Sequence, residues 1–272
     1  MMLINLTLLH FSASNLLSSP YFTGKYSQMM IHYSHLANFY TNFICLSEFK
    51  DVSLKSTIFH KFLQAPIKTN ENFISCETFS ETLPKYPLVG FLNIRNCEFI
   101  NCDQFIVSHN LQCLQIQNTR FEDSWNSTNN GIESGTDTTF FSNVIFNNCS
   151  FNNLIQISRG NEATFQYITI STGDYDYIFY ISSGATDTSF FYMNFIELGS
   201  SQLFYSPLQS ILLTKCYFSQ LTNFTGSSCN LRFEDCIYVR GPDGPDCTLS
   251  GGIVTRGSSF SFEILNNEFC EG

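Results

Sequence analysis

An all-β parallel solenoid of about nine or ten irregular coils is the fold this 272-residue sequence predicts, and three features predict it. The first is composition: 29 Phe and 13 Tyr accompany only 13% charged residues, while 25 Asn and 33 Ser supply neutral hydrogen-bonding groups. So many aromatics require a buried core and exclude a swollen, disordered chain. The second is recurrence of a short apolar segment carrying an aromatic anchor. The third is period-two alternation before the anchors, with Asn or Asp at the turns.

The anchors run in order along the chain. Phe39, Phe59, Phe79 and Phe99 are spaced evenly, and Phe121, Phe151, approximately Ile170, Phe195, Phe218, Tyr238 and Phe269 follow at uneven intervals. The surrounding text recurs as NCEFINC at 96–102, NTRFEDS at 118–124, NCSFNNL at 148–154, KCYFSQL at 215–221, DCIYVRG at 235–241 and NNEFCEG at 266–272. Alternating segments such as LNIRN at 92–96 and LQIQN at 114–118 read as strands with one inward face. Gly, Asn and Ser break every stretch long enough for several helical turns, so no long helix is expected. One repeat cannot close a core, but copies stacked about 4.8 Å apart cover one another and align identical positions into columns.

Three such columns are expected. Phe99, Phe121, Phe151, Phe218, Tyr238 and Phe269 would fill the interior. Two residues earlier, Cys97, Cys149, Cys216 and Cys236 would form an inward ladder of thiols, with disulfides expected instead among cysteines 102, 113, 229, 247 and 270. One residue before that, Asn96, Asn118, Asn148, Asp235 and Asn267 would make a polar ladder at a turn, placing the Asn148 sequon in the wall.

Residues 39–272 form the repeat domain in this reading, with 1–38 as an N-terminal cap or irregular first coils. The opening 1–22 is apolar like a secretory signal, yet it has no Lys or Arg before Leu3 and no Ala-x-Ala site, and it suits a buried strand equally well. Residues 125–139 read as a loop bulging from a coil and 240–252 as a second excursion, since Pro242 and Pro245 cannot donate ladder hydrogen bonds. No apolar run is long enough for a membrane helix, so an anchor would have to lie outside these residues.

The net charge of -10 removes the main electrostatic term for nucleic-acid binding. The cysteines lack paired C-x-x-C knuckles and the five histidines lack zincin spacing, so no cofactor is expected. Calcium would need loops to gather Asp235, Asp243, Asp246 and Glu263.

NCSFNN at 148–153, FSNVIFNN at 141–148, and SGGIV at 250–254 ahead of FEILNNEF at 262–269 resemble right-handed parallel β-helix repeats. The resemblance is to the surface-repeat type of polymorphic outer-membrane proteins and protist surface families. It covers most of 39–272 and implies a right-handed coil and a cell-surface or secreted adhesive role. The leading functional expectation is therefore a noncatalytic scaffold presenting a protein- or glycan-binding face. Pectin-cleaving enzymes are similar in fold, and they supply the alternative: Asp174 and Asp176 as paired carboxylates, Tyr175 and Tyr177 as sugar supports and Arg159 as the nearest base. The sequence has no adjacent Asp-Asp pair and no Gly-His-Gly motif, which weighs against that enzyme.

Overall fold

A computed structural model describes residues 2–4, 7–11, 17–18, 28–39, 44–46, 51–69, 90–109, 111–182, 185–198, 202–206, 210–219, 226–227, 230–239, 246–249 and 253–254. Every regular element among them is a strand. The strands form three columns, hereafter the first, second and third. The first links Met2–Ile4, Gln28–His32, Asp51–Lys55, Phe91–Arg95, 113–117, 138–142, 162–166, 187–191, Ser210–Thr214 and Asn230–Glu234 by consecutive parallel pairings. The second runs in parallel from Thr7–Phe11 through His35–Phe39, Ile58–Phe62, Glu98–Cys102, 120–124, 145–149, 169–173, Asn194–Leu198 and Tyr217–Ser219 to Cys236–Val239. The third runs in parallel from Leu17–Ser18 through Ile44–Leu46, Ile67–Thr69, Ile106–His109, Ile132–Gly135, 155–157, 179–181 and Gln202–Tyr205 to Gly226–Ser227. The chain is thus a parallel β-solenoid, and its described strands before residue 39 continue the same columns.

Two corners of the coil are built by left-handed residues. Tyr33, Ser56, Asn96, Asn118, Asn143, Tyr167, Tyr192, Lys215 and Asp235 form the first corner, all with φ between 49° and 55°. Asn38, Lys61, Asn101, Asp123, Asn148, Thr172 and Glu197 form the second, and these two corners hold every non-glycine residue of positive φ among the described residues. A left-handed residue interrupts the alternation, so two successive side chains face out and the wall bends while its flanks stay inward. Asn suits the position because its short polar side chain tolerates this conformation. It also bonds along the column: Asn118 Nδ2 donates to Asn96 Oδ1 at 3.2 Å, and Asn143 Nδ2 to Asn118 Oδ1 at 2.9 Å.

The corners lie five residues apart, and this corrects the expected columns. Within each five-residue step the order is left-handed, inward, outward, inward, outward, so Asn-Cys-x-Phe text fits either corner. Phe121 pairs with Phe146, not Phe151, and Phe146 pairs with Ile170. The anchor column is Leu36, Phe59, Phe99, Phe121, Phe146, Ile170, Phe195, Phe218 and Tyr238. Phe39 falls one step later, opposite Phe62, and Phe59 pairs directly with Phe99, while Phe79 lies outside the described residues. Phe151 is buried on the wall between the second and third columns, opposite Asn126 and Tyr175. Residues 125–139 are correspondingly no bulge; they complete an ordinary coil through Ile132–Gly135.

The polar and thiol ladders divide in the same way. Asn96, Asn118 and Asp235 share the first corner, but Asn148 stands exposed at the second, where its Nδ2 donates to Asp123 Oδ1 at 2.7 Å. Cys97, Cys216 and Cys236 share one inward column, in which Val144 takes the rung expected for Cys149. Cys149 instead follows Cys102 and Ser124 in the column one step later. Phe269 and Asn267 lie outside the described residues.

Aromatic packing fills the lumen from different walls along its length. In the middle coils Phe59, Phe99, Phe121 and Phe146 stack with centroids 4.7, 4.8 and 4.7 Å apart. Where the second column narrows to Ile170, Phe165 enters from the first column and Phe179 from the third, 5.1 Å apart. A shared lumen requires this complementarity, because close packing leaves room for one set of large rings per layer. Each buried ring contributes roughly 1.5–3 kcal/mol relative to exposure.

The parallel stack ends in a reversal. Asp246–Leu249 pairs antiparallel with Cys236–Val239, and Ile253–Val254 with Leu231 and Arg232, covering the edge of the last parallel rung. Part of the expected excursion at 240–252 is therefore strand. Pro242 and Pro245 lie outside the described residues.

Candidate functional site

Asp174 and Asp176 project to solvent from the wall between the second and third columns, and the Asp174 N–H donates to Ser150 Oγ at 3.2 Å. Tyr175 between them points inward and is 4% exposed, so it is a core ring and cannot support a sugar. Gly173 makes room for it: a Cβ there would collide with the Tyr175 hydroxyl and with the Cys149 carbonyl oxygen. Burial pushes the Tyr175 phenol well above its ordinary range. Arg159 occupies a different corner, between the third and first columns, where its Nε donates to the Gly135 carbonyl at 2.9 Å. The third-column strand therefore separates the proposed base from the paired carboxylates. Of the proposed calcium ligands, Asp235 stands at the first corner, Asp246 is described by its backbone alone, and Asp243 and Glu263 lie outside the described residues. No group of three or more His, Cys, Asp or Glu suited to a metal occurs among the described residues.

A different surface brings polar and aromatic groups together. On the outer face of the third column, Glu133, Gln156, Tyr180 and Tyr205 occupy successive rungs. Glu133 Oε1 accepts from Gln104 Nε2 at 3.2 Å and from Asn130 Nδ2 at 2.9 Å. Asn130 also donates to Gln156 Oε1 at 2.7 Å and accepts from Asn153 Nδ2 at 2.7 Å. These bonds fix planar amides in one orientation. The next rungs continue as rings: Tyr180 and Tyr205 stack at 4.6 Å and 8°, and Tyr177 meets Tyr205 edge-on at 5.4 Å and 62°. Desolvation, followed by the neighbouring Tyr205, raises the Tyr180 phenol above its ordinary value.

A second polar-to-aromatic strip follows the first corner. Above the Asn96, Asn118 and Asn143 ladder, Tyr167 and Tyr192 stack at 4.8 Å, and Lys215 Nζ lies 5.6 Å from the Tyr192 centroid. Both tyrosines are exposed, at 53% and 41%. Anchor counting missed these residues because it followed inward positions only. The available signal was the equal spacing of Tyr167 with Tyr192 and of Tyr180 with Tyr205, which is the length of the local coil.

The fold defines the class of this protein, a parallel β-solenoid. Comparison with protein-family models, curated proteins and solved structures finds no match to the chain. No helix among the described residues is long and apolar enough to cross a membrane.

Proposed function

We propose that this solenoid is a noncatalytic cell-surface or secreted scaffold whose third-column outer face binds an uncharged glycan. The observation carrying the reading is the continuous strip from Gln104, Glu133, Asn130 and Gln156 into Tyr177, Tyr180 and Tyr205. Sugars offer hydroxyl groups that pair with fixed amides and carboxylates, and C–H surfaces that pack on aromatic carbon. A repeated rung spacing of about 4.8 Å presents those groups at regular intervals along an extended polymer. Glu133 contributes negative charge with Asp174 and Asp176 on the adjoining wall, which disfavours uronate-rich chains.

The expected result is saturable binding of neutral oligosaccharides, weakened at least tenfold by Tyr180→Ala with Tyr205→Ala and retained by Asp174→Asn with Asp176→Asn. Isothermal titration calorimetry on folded variants measures it. The alternative is a polysaccharide-degrading enzyme using Asp174 and Asp176. It would show turnover of an acidic glycan that the double Asn variant abolishes, and such turnover would refute the scaffold reading.

A further inference from the structure

We propose that Cys216 and Cys236 are a covalent modification site, forming a rung-to-rung disulfide by exchange with a small dialkyl disulfide. Thr214 pairs with Glu234 and Tyr217 with Ile237, so the two intervening cysteines lie directly opposite on adjacent strands. Parallel neighbours are about 4.7–4.9 Å apart, inside the roughly 4.4–6.8 Å range of Cα separations that disulfides span. The Cys236 side chain already engages the backbone of the Cys216 strand. Cys216 N–H donates to Cys236 Sγ at 3.4 Å, and Cys236 Sγ donates to the Leu213 carbonyl of the neighbouring strand at 3.3 Å.

The other described thiols do not share this arrangement. Thr57 and Thr119 flank Cys97 on the adjacent rungs. Ser124 separates Cys102 from Cys149, leaving those two roughly 10 Å apart. Cys113 faces Phe91 and Thr138 in register. The inward column expected to hold inert thiols therefore contains, at its last parallel step, a pair positioned to cross-link.

The contact with Cys216 holds the Cys236 thiol below its ordinary value, and the same contact pushes Cys216 up. The Cys216 N–H that donates to Cys236 Sγ stabilises a thiolate there, which makes Cys236 the first nucleophile. Its thiolate attacks one sulfur of R–S–S–R, forming a mixed disulfide and expelling R–S⁻, which takes the bond's electron pair and is protonated. Cys216 then loses its proton to solvent and attacks the Cys236 sulfur, expelling the second R–S⁻. Two protein thiols are oxidised by two electrons in all, and one R–S–S–R is reduced to two R–SH. Both cysteines are buried, so reaction follows local opening of the last parallel step.

The test incubates native protein with oxidised glutathione, blocks remaining thiols with iodoacetamide, and maps tryptic peptides without reduction. Trypsin releases 216–232, which carries both Cys216 and Cys229, and 233–240, which carries Cys236. The expected product joins these peptides with a loss of two hydrogens. It persists in Cys229→Ser, disappears in Cys216→Ser and in Cys236→Ser, and is reversed by dithiothreitol. Far-ultraviolet circular dichroism confirms that each variant retains strand structure, with the corresponding alanine variant replacing any serine variant that does not fold. A link that survives Cys216→Ser, a link from Cys236 to Cys247, or complete alkylation of both cysteines once Cys113 is glutathionylated would overturn the proposal.

Discussion

The sharpest test of the coil register is the coupling between Phe121 and Phe146. Phe121 is fully buried, with centroids 4.8 Å from Phe99, 4.7 Å from Phe146 and 4.6 Å from Phe105. Truncation to Ala costs about 3–5 kcal/mol, a large part of the roughly 5–15 kcal/mol that holds a domain folded. Leucine is the better probe because it keeps most of the volume, and each Phe→Leu change should cost about 1–2 kcal/mol through the lost ring contacts. A double-mutant cycle by urea denaturation should give about 0.5–1.5 kcal/mol of coupling for Phe121→Leu with Phe146→Leu. The same cycle for Phe121 with Phe151 should give a smaller coupling, because that pair meets through a shared neighbour and not ring to ring. Those two rings are connected through Phe105, which lies 4.6 Å from one and 5.0 Å from the other. Coupling to Phe151 equal to or larger than coupling to Phe146 would refute the register.

Two further tests address the corners and the buried thiols. Asn118 has φ 49° and bonds to both ladder neighbours, so Asn118→Ala should cost about 1–2 kcal/mol, while Asn118→Gly should cost less because glycine adopts the conformation freely. Equal losses by urea titration would show that backbone strain is unimportant there. Burial pushes the thiols of Cys97, Cys102 and Cys149 up to about 12 from an ordinary 9.0. The folded state therefore retains protons that the unfolded chain releases between those values, and stability should fall as pH rises from 9 toward 12. Cys102→Ala should make that decline shallower; an unchanged slope in alkaline unfolding curves would contradict the assignment.

Much of the architecture was legible in the residues. Alternation at 92–96 and 114–118 became adjacent first-column strands, and Asn96 with Asn118 became a bonded corner pair. Phe99 and Phe121 stacked as expected. The reading slipped at 141–154 because that segment contains two corners, Asn143 and Asn148, each followed by an inward residue and then an inward aromatic. Pattern matching selected NCSF at the second corner, whereas the rung equivalent to NCEF is NVIF at the first. Cysteine and valine fill the same inward position, so identity of letters was a poorer guide than volume and spacing.

The site was less legible for a related reason. Asp174 and Asp176 share an outward direction, as their two-residue spacing requires, but the separation of Arg159 depends on where the coil turns. The amide network of Asn130, Gln156 and Glu133 joins residues from consecutive coils, and Tyr180 meets Tyr205 across another rung. Sequence by itself determined that this chain would coil: alternation chooses strands, aromatic surplus demands a shared lumen, and Asn tolerates the left-handed corners. Tertiary structure alone decided which rung sits on which. That choice rests on the summed fit of side chains from three walls, and it decides whether Cys216 faces Cys236 and which tyrosines share a surface.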